Sequence, residues 1–427
     1  MKFRVEREVL GEAVSWVARA LPTRPVVPVL SGLLLEADGD ELTLSCFDYE
    51  VSARARIPAE VGEPGIALVP GRLLAEIAKS LPPDDVEVSS AADVLVVTCG
   101  SAEFALVSLP LEDYPKLPEL PPVAGSVDGG ALAIAAAQVV PSASRDDTLP
   151  MLTGVCMDFD GAELTLAATD RYRLAVRTVG WEPADQSVHA SALVPARTLA
   201  DVARTMNTTG PVTIAFGQPD PDAGRPADGL ISFEGGGRRL AARLIGAEFI
   251  RYASRFPKTF EASAELPAVP FSEAVRRVSL VADRATPVQL AFRRDVVVIE
   301  AQSDGRARAV ESVPVGFAGP DRVIAFNPHY LLDGLAAAGL TGQVQPAGTG
   351  DDGPAAAGRI RLQFTSPAKP ALITWVAGDA SADASDAGDD AAADHAAGDV
   401  PEPGDAQPDY PAQFRYLVVP LRTPGAG

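Results

Sequence analysis

The sequence predicts an α+β protein built from three tandem copies of one domain, each with helices on one face of an antiparallel sheet. Three observations predict this. Blocks of sequence recur at a constant offset of 122 residues, as from Asp48 to Asp170; each copy carries apolar residues at helical spacing in two places; and the stretches between alternate apolar with polar residues around Asp-Gly turns. Each copy opens with a helix, at Arg7–Leu21, Gly130–Val140 and Ser272–Val281, the last with Ser272 as its expected cap and Glu273 in its first turn. Strands follow. Leu30-Ser31-Gly32, Asp38-Gly39-Asp40-Glu41-Leu42-Thr43-Leu44 and Phe47-Asp48 match Leu152-Thr153-Gly154, Asp160-Gly161-Ala162-Glu163-Leu164-Thr165-Leu166 and Thr169-Asp170 without a gap, and the Asp-Gly pairs mark hairpins. A short apolar strand then passes a proline into a second helix. Leu68-Val69-Pro70 leads into the first, Leu193-Val194-Pro195 into the second and, more distantly, Ala325-Phe326-Asn327-Pro328 into the third. In the first of these helices Leu73, Leu74, Ile77, Ala78 and Leu81 are expected on the buried face, with Arg72, Glu76 and Lys79 opposite.

Proline-rich connectors at Lys116–Pro122 and from Phe256-Pro257 to Val269-Pro270 separate the copies and set domains at 1–122, 123–256 and 257–427. A length of 427 residues suits three such domains. The acidic or Gly/Pro-rich segments Gln218–Gly229, Thr349–Gly358 and Asp379–Pro411 read as surface loops or disordered insertions. Because the chain returns to an apolar strand at Tyr416–Leu421, the stretch at about 379–411 is expected to interrupt the third domain rather than to form a tail.

The formal charge of −21 excludes a protein that grips phosphates over its whole surface. Ten Asp and Glu residues and no Lys or Arg fall in Asp379–Asp409, yet the remainder is still acidic, so any contact with nucleic acid must be local or topological. Five lysines against thirty-one arginines reflect a GC-rich genome more than a function. Apolar runs such as Val94–Val97 and Val296–Ile299 are too short to span a bilayer, and no signal peptide is visible ahead of the first helix, so a cytoplasmic location is expected. Cys46, Cys99 and Cys156 are unclustered and fit buried, reduced thiols. Asp48 and Asp170 recur at equivalent positions, but with one in each domain they do not form an acid–base pair, and His189, His329 and His395 are scattered. Zinc spacings, nucleophile elbows, P-loops and dinucleotide motifs are missing, which points away from an enzyme, a cofactor or a metal.

Several long stretches, correctly ordered, resemble the bacterial DNA sliding clamps, the beta subunits of DNA polymerase III. Arg145–Gly154 with Ala167–Ala175 resembles the family's middle domain. Thr23-Arg24-Pro25 before Pro28–Gly32, Leu106–Pro110 and Glu112–Pro115 resemble its first, and Ser279–Arg284, Ala325–Leu331 and Tyr416–Arg422 its third. The resemblance implies a non-catalytic processivity factor: two chains, head to tail, close six domains into a ring that encircles duplex DNA. It also implies short clamp-binding peptides from the polymerase, the clamp loader and repair proteins, taken up between domains 2 and 3. An adaptor without DNA is the alternative class. A heterologous contact closes into a ring when its rotation allows, and encirclement reconciles an acidic exterior with a DNA role.

Carried over residue by residue, the resemblance places Leu152, Thr169, Arg171, Tyr172, Arg173, Leu174, Leu417, Val418, Val419, Pro420, Leu421 and Arg422 at the peptide pocket, with Ile250, Ser254 and Arg255 on its wall; Leu152, Leu174 and Val418 read equally well as core packing. It places Arg24 on DNA, and Arg72, Lys79, Arg197, Arg204, Arg276 and Arg277 lie on polar helix faces expected to look inward. The helices at Gly130–Val140 and Tyr330–Leu335 offer no lysine or arginine, so the lining is thinly charged. Ring closure falls to Phe104 and Leu106 on one side and Leu280 and Val281 on the other, with Leu106 and Val281 reading equally well as internal core, and charges at both Phe104 and Leu106 are expected to give a soluble monomer. The chain departs from the family where Phe249-Ile250-Arg251-Tyr252 replaces a Phe-Pro-aromatic run, at Ser254 and Arg255, and at Val419 in place of a frequent Met. Those changes suggest a duplicate clamp that resists a pocket-binding inhibitor.

Overall fold

The computed structural model describes residues 1–91, 93–206, 210–217, 229–282, 286–303, 306–342, 358–376 and 413–421. The acidic insertion, Asp283, Arg284, Arg422 and all but the final glycines of Gln218–Gly229 and Thr349–Gly358 lie outside them. Among the described residues six α-helices occur, two to each copy: α1 (Arg7–Val17), α2 (Gly71–Ser80), α3 (Gly129–Val139), α4 (Ala196–Met206), α5 (Ala268–Val278) and α6 (Pro328–Gly342). The first helix of each copy runs straight into a 3-10 turn, at Ala18–Ala20, Val140–Ser142 and Ser279–Val281.

Three expectations about the helices need correction. Ser272 does not cap α5: the helix begins at Ala268 after Pro267, one turn earlier. Pro270 falls in that first turn, where a missing N–H costs no helical hydrogen bond, so the proline starts the helix instead of delaying it. Leu73 is 46% exposed, so the buried face of α2 is Leu74, Ala75, Ile77 and Ala78. The third copy's second helix, α6, also extends well past Leu335.

The chain divides into two compact units. The first comprises Met1–Ala133, Cys156–Leu164 and Gly180–Ala247, and the second Ile134–Val155, Thr165–Val179 and Glu248–Gly427. The middle copy therefore contributes to both, and strand pairing explains why. In the first unit a nine-stranded sheet places Arg238–Arg243 of the middle copy antiparallel to Val51–Pro58 of the first, with Ala242 opposite Val51. In the second unit Arg173–Gly180 of the middle copy pairs with Phe414–Val418, Arg173 facing Val418. Phe414–Val418 is paired on its other side with Ala371–Val376, so the residues between 376 and 414 join neighbouring strands of one sheet. Each unit has one further sheet. The order Glu60–Glu63, Lys2–Val5, Val86–Ala91, Val94–Cys99, Ala102–Val107 leaves Ala102–Val107 at an edge of the first unit; in the second, Ala307–Pro314, Val296–Ser303, Val288–Phe292, Arg322–Phe326 leaves Ala307–Pro314 at an edge.

Helices cover one face of these sheets. α1 packs on α2 and on Val51–Pro58, burying Leu10, Val14 and Val17; α5 packs on α6 and on Ala307–Pro314, burying Phe271 and Val275. Cys46, Cys99 and Cys156 are buried free thiols, and burial pushes the Cys46 thiol up to about 12, far from a reactive thiolate. No helix among the described residues is long and apolar enough to cross a membrane.

Candidate functional site

The recurring aspartates build the same turn twice. Asp48 Oδ1 accepts the N–H groups of Glu50 (3.0 Å) and Val51 (2.7 Å), and Tyr49, between Asp48 and Glu50, sits at φ 73°. Asp170 Oδ1 accepts those of Tyr172 (3.0 Å) and Arg173 (3.1 Å), with Arg171 at φ 78°. An aspartate that holds its own backbone two and three residues on stabilises a turn that would otherwise ask for glycine. The recurrence of Asp48 and Asp170 thus has a structural cause. In the second turn Thr169 Oγ1 adds a bond to Arg173 O at 2.6 Å and accepts from Arg171 N at 3.2 Å.

The C-terminal segment runs beside this second turn. Leu174 faces Leu417, Val419 N–H donates to Tyr172 O (2.8 Å), and Leu421 N–H donates to Ala325 O (2.7 Å). Arg173 ties the pieces together. Its Nε donates to Asp170 Oδ2 (3.0 Å), its Nη1 to Asp333 Oδ2 (2.5 Å) and its Nη2 to Pro141 O, while its guanidinium lies 4.7 Å from the centre of the Tyr330 ring. The Arg173 side chain is 9% exposed. Burial works against its charge, but Tyr416, Asp333 and Asp170 hold its pKa above the ordinary arginine value. On the same helix face Tyr172 stacks on Tyr330, with centroids 5.9 Å apart and planes at 17°, and Tyr416 Oη donates to Tyr330 O (2.7 Å). Burial raises the Tyr416 pKa.

The structure therefore brings Thr169, Arg171, Tyr172, Arg173 and Leu174 together with Leu417, Val418, Val419, Pro420 and Leu421. Leu152, Leu174, Leu417 and Val418 are buried in the core, whereas Tyr172 and Leu421 are exposed. Ile250 is half-buried, and Ser254 and Arg255 are exposed on the 3-10 turn Ala253–Arg255, where the bonds are local: Ser254 Oγ donates to Arg251 O and Arg255 N–H to Tyr252 O. Sequence reasoning missed Tyr330 and Asp333. They lie three residues apart on α6, and that spacing, which puts two side chains on one helix face, was the available signal.

Five of the seven basic residues expected to face DNA, Arg24, Arg72, Lys79, Arg197 and Arg204, lie in the first unit. One groove is lined by Arg19, Arg24 and Arg197 beside Trp16, Asp48 and Asp201. A second is lined by Arg7, Arg19, Lys79, Arg204 and Arg238 beside Glu8 and Glu12. Of these, Arg7, Arg19 and Arg238 were not singled out from sequence. Arg238 lies 5.8 Å from the Trp16 ring and bonds Glu12 at 3.2 Å; Arg204 bonds Asp201. Arg72 is turned onto backbone, donating to Leu21 O (3.3 Å) and Pro22 O (3.1 Å). Arg276 and Arg277 are exposed on α5, and Arg277 forms a two-pronged contact with Glu311 (3.1 and 2.6 Å), which neutralises much of its charge toward any third party.

At the expected closing surfaces, Phe104 is half-buried, but Leu106 is 2% exposed and belongs to the core of its own domain. Leu280 is 83% exposed on the 3-10 turn after α5, and Val281 beside it is half-buried.

Three family models match the chain in order: the N-terminal domain of the DNA polymerase III beta subunit over residues 1–118, the central domain over 126–250 and the C-terminal domain over 253–342. This chain belongs to the DNA polymerase III beta subunit family. It is 47% identical over 374 residues to the beta sliding clamp of Streptomyces coelicolor, covering 88% of this chain and 94% of that protein. It is 45% identical over 335 residues to the beta sliding clamp homolog GriR of Streptomyces muensis, covering 78% and 88%. The DnaN sliding clamp of Pseudomonas aeruginosa bound to griselimycin shares the fold, with a TM-score of 0.79 at 24% identity over 99% of this chain and 100% of that one. The beta subunit family is non-catalytic, and the roles of Asp48 and Asp170 as turn ligands agree with that.

Proposed function

We propose that this beta subunit is a DNA sliding clamp: a homodimeric ring that encircles duplex DNA and tethers polymerase, clamp loader and repair proteins through peptides docked at the Thr169–Leu174 turn. One observation carries the reading. Within a chain the same junction occurs twice, a hairpin strand of one copy pairing with the last strand of the next: Val51–Pro58 with Arg238–Arg243, and Arg173–Gly180 with Phe414–Val418. The third junction is left open, because the third copy's hairpin strand Ala307–Pro314 and the first copy's last strand Ala102–Val107 both end their sheets. Unpaired edges of this kind are templates for another chain, and a second copy, head to tail, supplies both missing partners. Exposed Leu280 lies on the 3-10 turn equivalent to Val140–Ser142, whose Pro141 O accepts from Arg173 at the filled junction. Leu280 and Val281 thus flank the closing strand, with Phe104 on the other side.

Arg24, Lys79, Arg197 and Arg204, joined by Arg7, Arg19 and Arg238, supply local positive charge on an acidic molecule. Asp48, Asp201 and Glu12 among them keep the grip on phosphate weak enough for sliding. A cytoplasmic location suits this work. The test is topological. Loaded with its clamp loader and ATP onto nicked circular DNA, the protein is expected to stay bound at least about tenfold longer than after the same DNA is linearised. Equal residence on both would leave a DNA-free adaptor as the better description.

A second reading, a duplicate clamp that resists a pocket-binding cyclic peptide, is supported by the altered wall. Val419 is pinned by its bond to Tyr172 O and lacks the reach of a methionine, and Ile250 stands where a proline is usual. Griselimycin is expected to bind this clamp at least about tenfold more weakly than it binds an ordinary clamp, by calorimetry; equal affinity removes the resistance reading and leaves the clamp function standing.

A further inference from the structure

The two filled junctions of the chain are chemically unlike but geometrically equivalent. At the second, Val419 N–H donates to Tyr172 O (2.8 Å) and Leu421 N–H to Ala325 O (2.7 Å). At the first, Arg243 N–H donates to Glu50 O (2.9 Å) and Ile245 N–H to Leu193 O (2.8 Å). Glu50 precedes Tyr172 by the repeat offset, and Leu193 and Ala325 occupy matching places before α4 and α6. Thr169, Arg171, Tyr172 and Val419 of the proposed peptide pocket therefore correspond to Phe47, Tyr49, Glu50 and Arg243.

A groove lies at that first junction, wholly within one compact unit. Its apolar floor is Phe47, Tyr49, Pro118 and Leu230. Tyr49 is half exposed, its ring 5.3 Å from that of Phe47, and its backbone is fixed twice, by the Asp48 turn and by Arg243 Nε donating to Tyr49 O (3.0 Å). Pro118 and Glu119 come from the proline-rich connector between the first two copies. The wall expected at the second junction, Ile250, Ser254 and Arg255, likewise comes from the segment just ahead of a connector between copies. The rim carries Glu50 and Glu119 against the cation Arg243, whereas the turn at the second junction exposes Arg171, Arg173 being largely buried against Asp170 and Asp333.

We infer that this groove is a second peptide-docking site, taking a short extended segment of a partner protein that presents an aromatic or large aliphatic anchor beside a basic residue. The anchor seats on Tyr49, Phe47 and Leu230, and the basic side chain meets Glu50 and Glu119. Charge complementarity selects this occupant: an acidic rim repels acidic peptides and favours a cationic one. The inference rests on the reading of the second junction as a peptide pocket, because the equivalence of the two turns is what gives the groove its use. Two docking sites with differently charged rims on one protomer would let a clamp hold two classes of partner at once.

The test uses the full-length dimer and two fluorescein-labelled probes: a polymerase-derived clamp-binding peptide, and a five-residue Arg-Leu-Phe-Gly-Arg peptide. The variants are Glu50→Arg with Glu119→Arg, Tyr49→Ala, and Tyr172→Ala, all at exposed side chains, with melting curves confirming the fold. The cationic probe is expected to bind the unaltered protein and to lose about tenfold or more in affinity in the charge-reversed and Tyr49→Ala variants, with no loss in Tyr172→Ala. The polymerase peptide is expected to show the reverse pattern. A cationic probe that fails to bind, that ignores the charge reversal, or that is displaced by Tyr172→Ala overturns the second site. A polymerase peptide indifferent to Tyr172→Ala instead overturns the pocket at the second junction, so the two failures are told apart.

Discussion

Replacing Leu280 with aspartate is expected to leave each chain folded and to split the clamp into monomers that can no longer be retained on circular DNA. At 83% exposure the leucine contributes almost nothing to the core of its own domain, so the substitution costs the monomer little. In the proposed ring it flanks the seam where Ala307–Pro314 would meet the partner chain's Ala102–Val107, and a carboxylate buried there without a partner is strongly unfavourable. Sedimentation velocity at micromolar concentration checks the result: the unaltered protein is expected at the mass of two chains and Leu280→Asp at that of one. A dimer that persists would move Leu280 out of the closing surface. The same logic separates the two residues on the opposite side. Phe104→Asp, half-buried on an edge strand, is expected to act on assembly. Leu106→Asp is expected to unfold the first domain at a cost of about 4 kcal/mol or more, because Leu106 faces inward at 2% exposure. A monomer obtained by charging both positions would therefore report folding as much as association.

The repeat made most of the fold legible. The gap-free offset singled out Asp48 and Asp170 but not the turn each holds, and of the four strands at the filled junctions the sequence marked only the last, near Tyr416–Leu421, because the others carry arginines that break the apolar alternation. Helix starts were harder to read. Ser272 has the chemistry of a cap, and only the tolerance of a first helical turn for Pro270 shows why α5 begins at Ala268 instead. Leu106 illustrates a limit of a different kind, since the side of a strand that faces the core depends on which neighbour it packs against. Local chemistry joins Asp170 and Arg173, three residues apart on one turn, although of the two the resemblance singled out Arg173 alone. The site was not legible where partners are distant in sequence: Asp333 is 160 residues from Arg173, and nothing in a single chain's spacing ties the two together. The basic grooves were half visible for a similar reason, because Arg19 and Arg238 acquire meaning only when Trp16 and Glu12 are placed beside them.

The Arg173 network leads to the second large effect. Arg173→Ala is expected to destabilise the protein by about 2–4 kcal/mol and to abolish binding of a polymerase-derived peptide at the Thr169–Leu174 turn. The guanidinium serves four partners at once, Asp170, Asp333, Pro141 O and the Tyr330 ring, and is the link between the turn, the 3-10 segment after α3 and α6. Truncation leaves Asp170, which is 13% exposed, with a carboxylate oxygen stripped of its donor. Asp333 is 44% exposed and recovers water easily, which keeps the cost below that of a fully buried pair. Arg173→Lys separates charge from shape. A lysine keeps the positive charge but cannot present a planar fork to two carboxylates while lying over an aromatic ring, so it is expected to regain no more than about half of the lost stability. Urea unfolding of the three proteins, repeated at 0.1 and about 0.5 M salt, distinguishes the mechanisms: a network shielded from solvent keeps its effect as salt rises, whereas an exposed ion pair loses it. If Arg173→Ala unfolds at the same midpoint as the unaltered protein, Arg173 is free to serve a bound peptide directly, and the turn must be held by Asp170 and Thr169 alone.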